Sequence, residues 1–301
     1  MTSFARAALL SLALVVLSES ASAQTTVGRS DSVYTWRGAI PSRALLTIRN
    51  VNGPIDVRPS TDNSTELRAE KRTSRGGGSV QDVAFTVQTG NNGDVTICST
   101  YRDNNPCGDD RWNDHDNRHY VTVAMTVRVP RGTQLKIVTG NGEVSVERVG
   151  NDVQANTGNG RVRVEGTEGS VRVNTGNGDV DVRGAKGSVR VSTGNGAVTV
   201  TTSEGPVDAS SGNGDIDVSM TSLKARDDMS FHTGSGSVRV TLPSGYNGEL
   251  DASTGNGELH TDFELKVQGR VNPRHIRATI GSGGPLLKLT SGNGRLEVRK
   301  Q

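Results

Sequence analysis

The segment 101–120 holds the densest group of side chains that could bind a metal ion. Its acidic and imidazole side chains are Asp103, Asp109, Asp110, Asp114, His115, Asp116 and His119. Carboxylate oxygens are the ligands that Ca²⁺ prefers, but the ordered Asp and Gly spacing of an EF-hand is missing. His115 and His119 would share one face only on a helix, and no helical pattern is present. The pattern favours a solvated loop, with calcium binding as an open alternative, and no metal ligand is assigned.

Carboxylates separated by one residue are the second candidate for chemistry. They are Asp179 with Asp181 and Asp215 with Asp217. Side chains two apart on a strand point to the same face, so each pair could supply the two carboxylates of a glycoside hydrolase. Such an enzyme needs a cleft built from long loops, whereas the turns around these pairs have four residues. We assign no catalytic residue, and a β-helical polysaccharide lyase or hydrolase is the alternative function.

A Gly-Asn-Gly turn that recurs every 18 residues could cradle a phosphate. The turns comprise Gly140, Asn141 and Gly142; Gly158, Asn159 and Gly160; Gly176, Asn177 and Gly178; Gly194, Asn195 and Gly196; and Gly212, Asn213 and Gly214. A phosphate loop needs a helix behind it, and no helical periodicity follows these turns. We therefore expect structural corners with left-handed glycines, an amide ladder of stacked asparagines and a second ladder of the preceding threonine hydroxyls. Valine at Gly178 or Gly196 is expected to unfold a coil, because valine resists a positive φ.

The elements that position these turns are short strands. Residues 142–222 repeat every nine residues as Gly-x-Val-x-Val followed by four turn residues. The third position is Val or Ile in every unit, the fifth is nearly always Val, and the second and fourth are mostly polar, which is the alternation of a strand. The first position is Gly except at Asn151, a residue type that also accepts a left-handed backbone. Calcium-binding nonapeptide rolls share this unit length, but the recurring Asp of their turns is missing here.

Two units make one coil, because the Gly-Asn-Gly corner ends only every second unit. Stacked coils would pair each strand with its equivalent 18 residues away, about 4.8 Å distant, in parallel sheets. The sequence therefore predicts an all-β fold, a parallel β-solenoid of 18-residue two-strand coils with irregular β caps at both ends. We place one domain at residues 24–301, with irregular strands over 24–130, regular coils over 131–222 and irregular coils over 223–301.

Residues 1–23 have the pattern of a secretory signal. One cation, Arg6, precedes an apolar stretch over 7–17, and Ala21-Ser22-Ala23 indicates cleavage before Gln24. The apolar stretch is shorter than the roughly 20 residues of a membrane span, and no later segment is long enough. No Cys follows the cleavage site for a lipid anchor. We expect a periplasmic or extracellular protein without a transmembrane segment in the mature chain.

Cysteine content and charge narrow the class of protein further. Cys98 and Cys107 are the only two cysteines, and in an oxidising compartment we expect them to form one disulfide. Lys and Arg total 34 against 32 Asp and Glu, a net charge of +2, which does not indicate a nucleic-acid partner. No cofactor motif is present.

Two motifs resemble a known bacterial family. The run Val127-Arg128-Val129-Pro130-Arg131-Gly132-Thr133 leads into the Thr-Gly-Asn-Gly corners, and Gly283-Gly284-Pro285 precedes a last corner, Ser291-Gly292-Asn293-Gly294. In these features, and over nearly the whole mature chain, the sequence resembles the bacterial "putative adhesin" family. The resemblance implies an exported β-solenoid and supplies no catalytic residues.

These patterns together indicate a protein that works by surface contact. We predict a non-enzymatic adhesion, scaffold or cell-envelope interaction module, whose partner is an envelope glycan or an envelope protein. The candidate contact residues are Arg172 and Arg190, which would stack on one sheet and could meet an acidic glycan or a phosphate. The other sheet is expected to carry cross-strand ion pairs, Glu143 with Arg161 and Arg163 with Asp181.

Overall fold

Strands make up nearly all of the regular structure. The computed structural model describes residues 24–27, 30–73, 77–101, 107, 121–202, 204–224, 226–267, 272 and 274–301. In this part of the chain there are 26 strands and one short 3-10 turn, Val80–Asp82. The strands are β1 Gln24–Val27, β2 Val33–Gly38, β3 Leu45–Asn52, β4 Ile55–Pro59, β5 Thr65–Thr73, β6 Val83–Thr89, β7 Val95–Tyr101, β8 Val121–Val129, β9 Gln134–Asn141, β10 Val144–Glu147, β11 Val153–Asn159, β12 Val162–Glu165, β13 Val171–Asn177, β14 Val180–Ala185, β15 Val189–Asn195, β16 Val198–Thr202, β17 Val207–Asn213, β18 Ile216–Met220, β19 Met229–Ser235, β20 Val238–Leu242, β21 Gly248–Asn256, β22 Leu259–Thr261, β23 Leu265–Val267, β24 His275–Ile280, β25 Leu286–Asn293 and β26 Leu296–Lys300. The all-β class expected from the sequence is confirmed.

The strands form two sheets around one narrow apolar core. Sheet A has the order β1-β6-β7-β3-β9-β11-β13-β15-β17-β19-β25-β21-β24-β23, and sheet B has the order β2-β5-β8-β4-β10-β12-β14-β16-β18-β20-β26-β22. From β7 to β21 in sheet A, and from β8 to β22 in sheet B, every neighbouring pair is parallel. One sheet A strand followed by one sheet B strand makes a rung, so the fold is a stack of two-strand rungs.

The nine-residue period of the sequence sets the register of the regular rungs. Val153, Val171 and Val189 are direct partners in β11, β13 and β15, each 18 residues from the next. Their side chains are 1–2% exposed, and Val162 and Val180 in sheet B are equally buried. Every valine therefore packs against its equivalents above and below, and the predicted parallel solenoid is confirmed.

The rungs at both ends are stacked out of chain order, which the sequence did not indicate. The rung of β3 and β4 lies between the rung of β7 and β8 and that of β9 and β10, with Asn52 opposite Asn141. At the other end, the rung of β25 and β26 is inserted between two rungs that are consecutive in the chain. Ser235 in β19 therefore faces Asn293, and Asn293 faces Asn256 in β21.

Antiparallel strands cover three of the four sheet ends. β6 and β1 continue sheet A beyond β7, β5 and β2 continue sheet B beyond β8, and β24 and β23 continue sheet A beyond β21. These strands form hydrogen bonds with the backbone N–H and C=O groups that an open edge of the parallel sheet would leave unpaired.

The expected disulfide joins Cys98 at β7 to Cys107, with 5.8 Å between the two Cα atoms. It attaches the start of the following loop to sheet A. The acidic and imidazole residues considered for calcium between 103 and 119 lie outside the described residues, as do residues 1–23.

Glycine is required at the corners mainly because adjacent rungs lie too close together there for a side chain. A Cβ atom at Gly178 would lie 2.5 Å from the carbonyl carbon of Gly160 in the preceding rung, nearer than real Cβ atoms come to other atoms. Gly196 has the same contact and a φ of 149°, but Gly178 does not lie in the left-handed range, nor does Asn151. The expected left-handed backbone is therefore wrong for Asn151 and for most of the corner glycines, because the sequence cannot distinguish a steric need for glycine from a conformational one. It holds for Gly160, Gly196 and Gly214, and it is wrong for Gly140, Gly142, Gly158, Gly176, Gly178, Gly194 and Gly212.

The side chains at the corner form one of the two expected ladders. Asn177 Nδ2 donates to Asn159 Oδ1 at 2.8 Å, and Asn195 Nδ2 donates to Asn177 Oδ1 at 2.7 Å, as an amide ladder requires. The hydroxyl ladder is wrong: Thr175 Oγ1 donates to the carbonyl oxygen of Gly160 at 3.2 Å, and its equivalents do the same. Threonine points inward here, so its hydroxyl satisfies a backbone carbonyl of the neighbouring rung.

We predict that Gly178→Ala destabilises the solenoid although its backbone conformation is open to any residue. The added methyl group must separate two rungs, which costs about 1–3 kcal/mol as for other overpacked sites. Gly245→Ala is the matched control, because a Cβ there meets open space and the change should stay within about 0.5 kcal/mol. Urea unfolding measures both, and equal midpoints for the two variants would contradict the steric explanation.

Candidate functional site

The outer face of sheet A consists of straight columns of like residues. Because each rung repeats the register of the last, outward positions stack along the axis. We name three columns: the Arg column is Lys136, Gln154, Arg172, Arg190 and Asp208; the Gly column is Gly140, Gly158, Gly176, Gly194 and Gly212; the Asn column is Asn141, Asn159, Asn177, Asn195 and Asn213. The columns run parallel to the solenoid axis for at least five rungs.

A shallow groove follows the Gly column, because glycine has no side chain to fill it. Over three rungs it encloses about 670 Å³. Its lining includes Lys136, Gln154, Asn156 and Asn174, together with backbone of the Gly column. The groove is therefore lined by amides and one cation, and its lining contains no carboxylate.

The amides beside the groove keep hydrogen-bonding capacity for a partner. The members of the Asn column are exposed, and the three inner ones, Asn159, Asn177 and Asn195, each use one N–H and one carbonyl lone pair along the ladder. Asn174 likewise donates to Asn156 at 2.9 Å. A carboxamide has two N–H groups and two lone pairs, so half of this capacity still faces solvent.

Arg172 and Arg190 are brought together as the sequence predicts, but they are not equivalent. They are register partners in β13 and β15. Arg190 forms an ion pair with Asp208 at 3.0 Å, a neighbour that sequence reasoning did not include, whereas Arg172 makes no ion pair with any described residue. Arg172 is therefore a cation of this face that no described carboxylate neutralises.

The outer face of sheet B pairs some of its charges with each other. Arg161 pairs with Asp179 at 3.1 Å, and Arg183 pairs with Asp181 at 2.9 Å. The expected pairs of Glu143 with Arg161 and Arg163 with Asp181 are wrong, because Arg161 pairs with Asp179 of the following rung and Asp181 is bound by Arg183 of its own strand. Within the described residues, Glu143 and Arg163 form no ion pair.

These contacts also bear on the carboxylates considered for glycoside cleavage. The backbone N–H of Ala197 and the guanidinium of Arg161 hold the pKa of Asp179 below its usual range. A general acid requires the opposite, a raised pKa. Asp179 is thus held as a structural carboxylate.

A compact ion cluster holds the inserted rung on sheet B. Glu297 of β26 is only 6% exposed and contacts Arg239 of β20 at 2.9 Å and Arg299 at 2.6 Å. Arg239 also reaches Asp217 at 3.0 Å, so the cluster spans three rungs. The hydrogen bond from Arg239 is the main reason that the pKa of Glu297 lies below its usual range.

Two further properties concern the described part of the chain. It contains no group of three or more His, Cys, Asp or Glu side chains arranged to hold a metal ion. It also contains no helix with the length and apolar character needed to cross a membrane.

Comparison with known proteins identifies relatives of this fold. The family model described as Toastrack DUF4097 matches residues 45–299, which confirms the family resemblance seen in the sequence motifs. No curated protein matches the chain. Similar solved structures include a putative adhesin from Parabacteroides distasonis, with 12% identity, 89% of this chain and 97% of that chain covered, and a TM-score of 0.45. Another is a putative adhesin from Bacteroides fragilis, with 15% identity, 91% and 99% covered, and a TM-score of 0.34.

We predict that Glu297→Gln destabilises the protein at neutral pH and reduces its acid sensitivity. Removing the carboxylate leaves Arg239, Arg299 and also Arg295, which lies 3.6 Å from Glu297, without this negative partner, which should cost about 1–3 kcal/mol. Because the folded-state pKa of Glu297 is lowered, its contribution is present above its ordinary pKa and is lost as pH falls through the folded value.

Urea unfolding at pH 7 and below pH 4 measures this effect. Glu168→Gln, which breaks an exposed pair with Lys186, is the control and should change little. Parallel pH curves for wild type and Glu297→Gln would contradict the assignment.

Proposed function

The chain belongs to the Toastrack DUF4097 family, and we propose that it is an exported, non-enzymatic module that binds an extended envelope glycan along the outer face of sheet A. The observation that carries this proposal is the difference between the two outer faces. Sheet A presents the exposed amides of the Asn column and a groove beside Arg172, which forms no ion pair with a described residue, whereas on sheet B Arg161 and Arg183 are paired with carboxylates of that sheet.

The geometry of the columns suits a linear polymer. Equivalent groups recur at the spacing of strands, about 4.8 Å, so a chain lying along the groove meets the same donors and acceptors at each step. The amides of the Asn column offer both donors and acceptors, as hydroxyl groups of a glycan require. Arg172 would bind a carboxylate or phosphate carried by such a chain.

Absence of catalysis is part of the proposal. It is supported by the lowered pKa of Asp179 and by the short corners of the regular rungs, which build no deep cleft there. The alternative, a β-helical polysaccharide lyase or hydrolase, differs in one observable. Incubation with cell-wall and capsular glycans should produce no new reducing ends if the protein only binds.

We predict that Arg172→Glu weakens glycan binding by at least about tenfold, because it replaces a charge-assisted hydrogen bond by repulsion. The measurement is co-sedimentation with isolated cell-wall glycan and affinity electrophoresis in a gel containing a linear uronic-acid polymer. Arg163→Glu is the matched control, since Arg163 is also an exposed strand arginine without an ion pair to a described residue, but on sheet B.

The control variant should bind as the wild type does. Equal loss in both variants would point to unspecific charge attraction and would contradict a site on sheet A. Failure of the wild type to bind either glycan would overturn the glycan proposal itself.

Export is proposed from the signal pattern of residues 1–23. We predict that protein recovered from the periplasm or the culture medium of a bacterial host begins at Gln24, as intact mass spectrometry would measure. Replacing Ala23 by a bulky residue should impair cleavage and is the control. An exported protein that retains Met1 would contradict the cleavage site.

A further inference from the structure

The inserted rung leaves a cavity on the side of the solenoid that lies opposite the Gly-Asn-Gly corners. Three connections meet there, and their described residues are 221–224 and 226–228 before β19, 243–247 before β21 and 281–285 before β25. The connection 243–247 passes over the inserted rung to reach β21, so it cannot lie on its predecessor as the regular corners do. The cavity follows directly from this change in stacking order.

The cavity has the size of a small-molecule site and a mainly polar lining. It encloses about 530 Å³, within the usual range of ligand pockets, about 300–1,000 Å³. Polar side chains from all three connections line it, namely Thr221, Ser222, Arg226, Asn247 and Ser282. Leu223, Pro243 and Pro285 add an apolar wall.

Hydrogen bonds between the connections fix the walls in place. Asn247 Oδ1 accepts hydrogen bonds from the backbone N–H of Ser282 at 2.9 Å and from its hydroxyl at 3.2 Å. Asp228 Oδ1 accepts one from the backbone N–H of Leu286 at 2.7 Å. A ligand would therefore meet a preformed site and would not have to order these loops.

The charge at the cavity favours an anionic group. Arg226 is exposed, lines the cavity and forms no ion pair with any described residue. Two other cations on this side of the stack are paired, Lys186 with Glu168 at 2.6 Å and Lys224 with Glu204 at 2.8 Å. The lining itself contains no carboxylate, so the guanidinium of Arg226 is available for one.

Tyr246 adds a buried polar group to the same wall. It is 7% exposed, and its hydroxyl has no hydrogen-bond partner among the described residues. Burial, with a smaller effect of the nearby Asp228 carboxylate, raises its pKa to about 12, so it stays protonated and can act as a donor. A buried hydroxyl without a partner is uncommon in folded proteins and is often explained by a missing ligand or water.

We propose that this cavity binds a single saccharide unit that carries a carboxylate. Arg226 binds the carboxylate through its planar guanidinium, and Ser222, Asn247 and Ser282 bind ring hydroxyls. The site is separate from the columns of sheet A, so it does not depend on the function proposed for that face.

The direct test is calorimetric titration of the full mature protein with D-glucuronate, D-glucose and acetate. Glucuronate should bind saturably. Glucose and acetate should bind at least about tenfold more weakly, because glucose lacks the carboxylate and acetate lacks the ring hydroxyls. Failure of glucuronate to bind, or equal affinity for glucuronate and glucose, would overturn the proposal.

Variants locate the binding. Gly245 lines the cavity, and a side chain placed on it would enter open space without backbone strain. Gly245→Phe should abolish glucuronate binding while Gly245→Ala retains it, and both should unfold near the wild-type midpoint. Arg226→Ala should weaken binding at least about tenfold, whereas Arg172→Ala on sheet A should not. Glucuronate binding that survives Gly245→Phe, or that is lost equally in both arginine variants, would contradict the assigned site.

Discussion

Close contact between the backbones of adjacent rungs is the constraint on which the rest of this structure depends. At Gly178 a side chain of any size would overlap the carbonyl group of Gly160, and the N–H of Gly178 bonds to the carbonyl oxygen of Asn195 at 2.8 Å on the other side. Backbones that approach this closely must stay in register. That register in turn stacks the valines inside and the asparagines and arginines outside.

The sequence predicts those features that depend only on the period. Valines 18 residues apart must lie together once the rungs are parallel, and the same spacing aligns Asn159 with Asn177. It does not predict the order of the terminal rungs, because the corner at Ser235 is equally compatible with the corner at Asn256 and with that at Asn293. The ion partners of sheet B also escape prediction, since an arginine such as Arg183 can reach carboxylates on its own strand as well as on the next.

The two candidate sites also differ in how far the sequence predicts them. The neighbourhood of Arg172 and Arg190 follows from the period and was predicted, whereas neutralisation of Arg190 by Asp208 depends on the side chains of a further rung. The cavity at Arg226 exists only because one rung is inserted, so no local motif marks it. The scaffold is thus uniform, and the two proposed ligand sites lie on its outward columns and at the break in stacking order near its end.

Disulfide formation between engineered cysteines tests the rung order most directly. Cysteines at Ser235 and Asn293 lie on adjacent rungs, about 4.8 Å apart along the axis, within the range that a disulfide spans. Cysteines at Ser235 and Asn256 lie two rungs apart, beyond that range. The structure predicts rapid intramolecular crosslinking of the first pair and none of the second, as mass spectrometry of the oxidised variants would detect. Crosslinking of the second pair in preference to the first would contradict the inserted rung and the cavity derived from it.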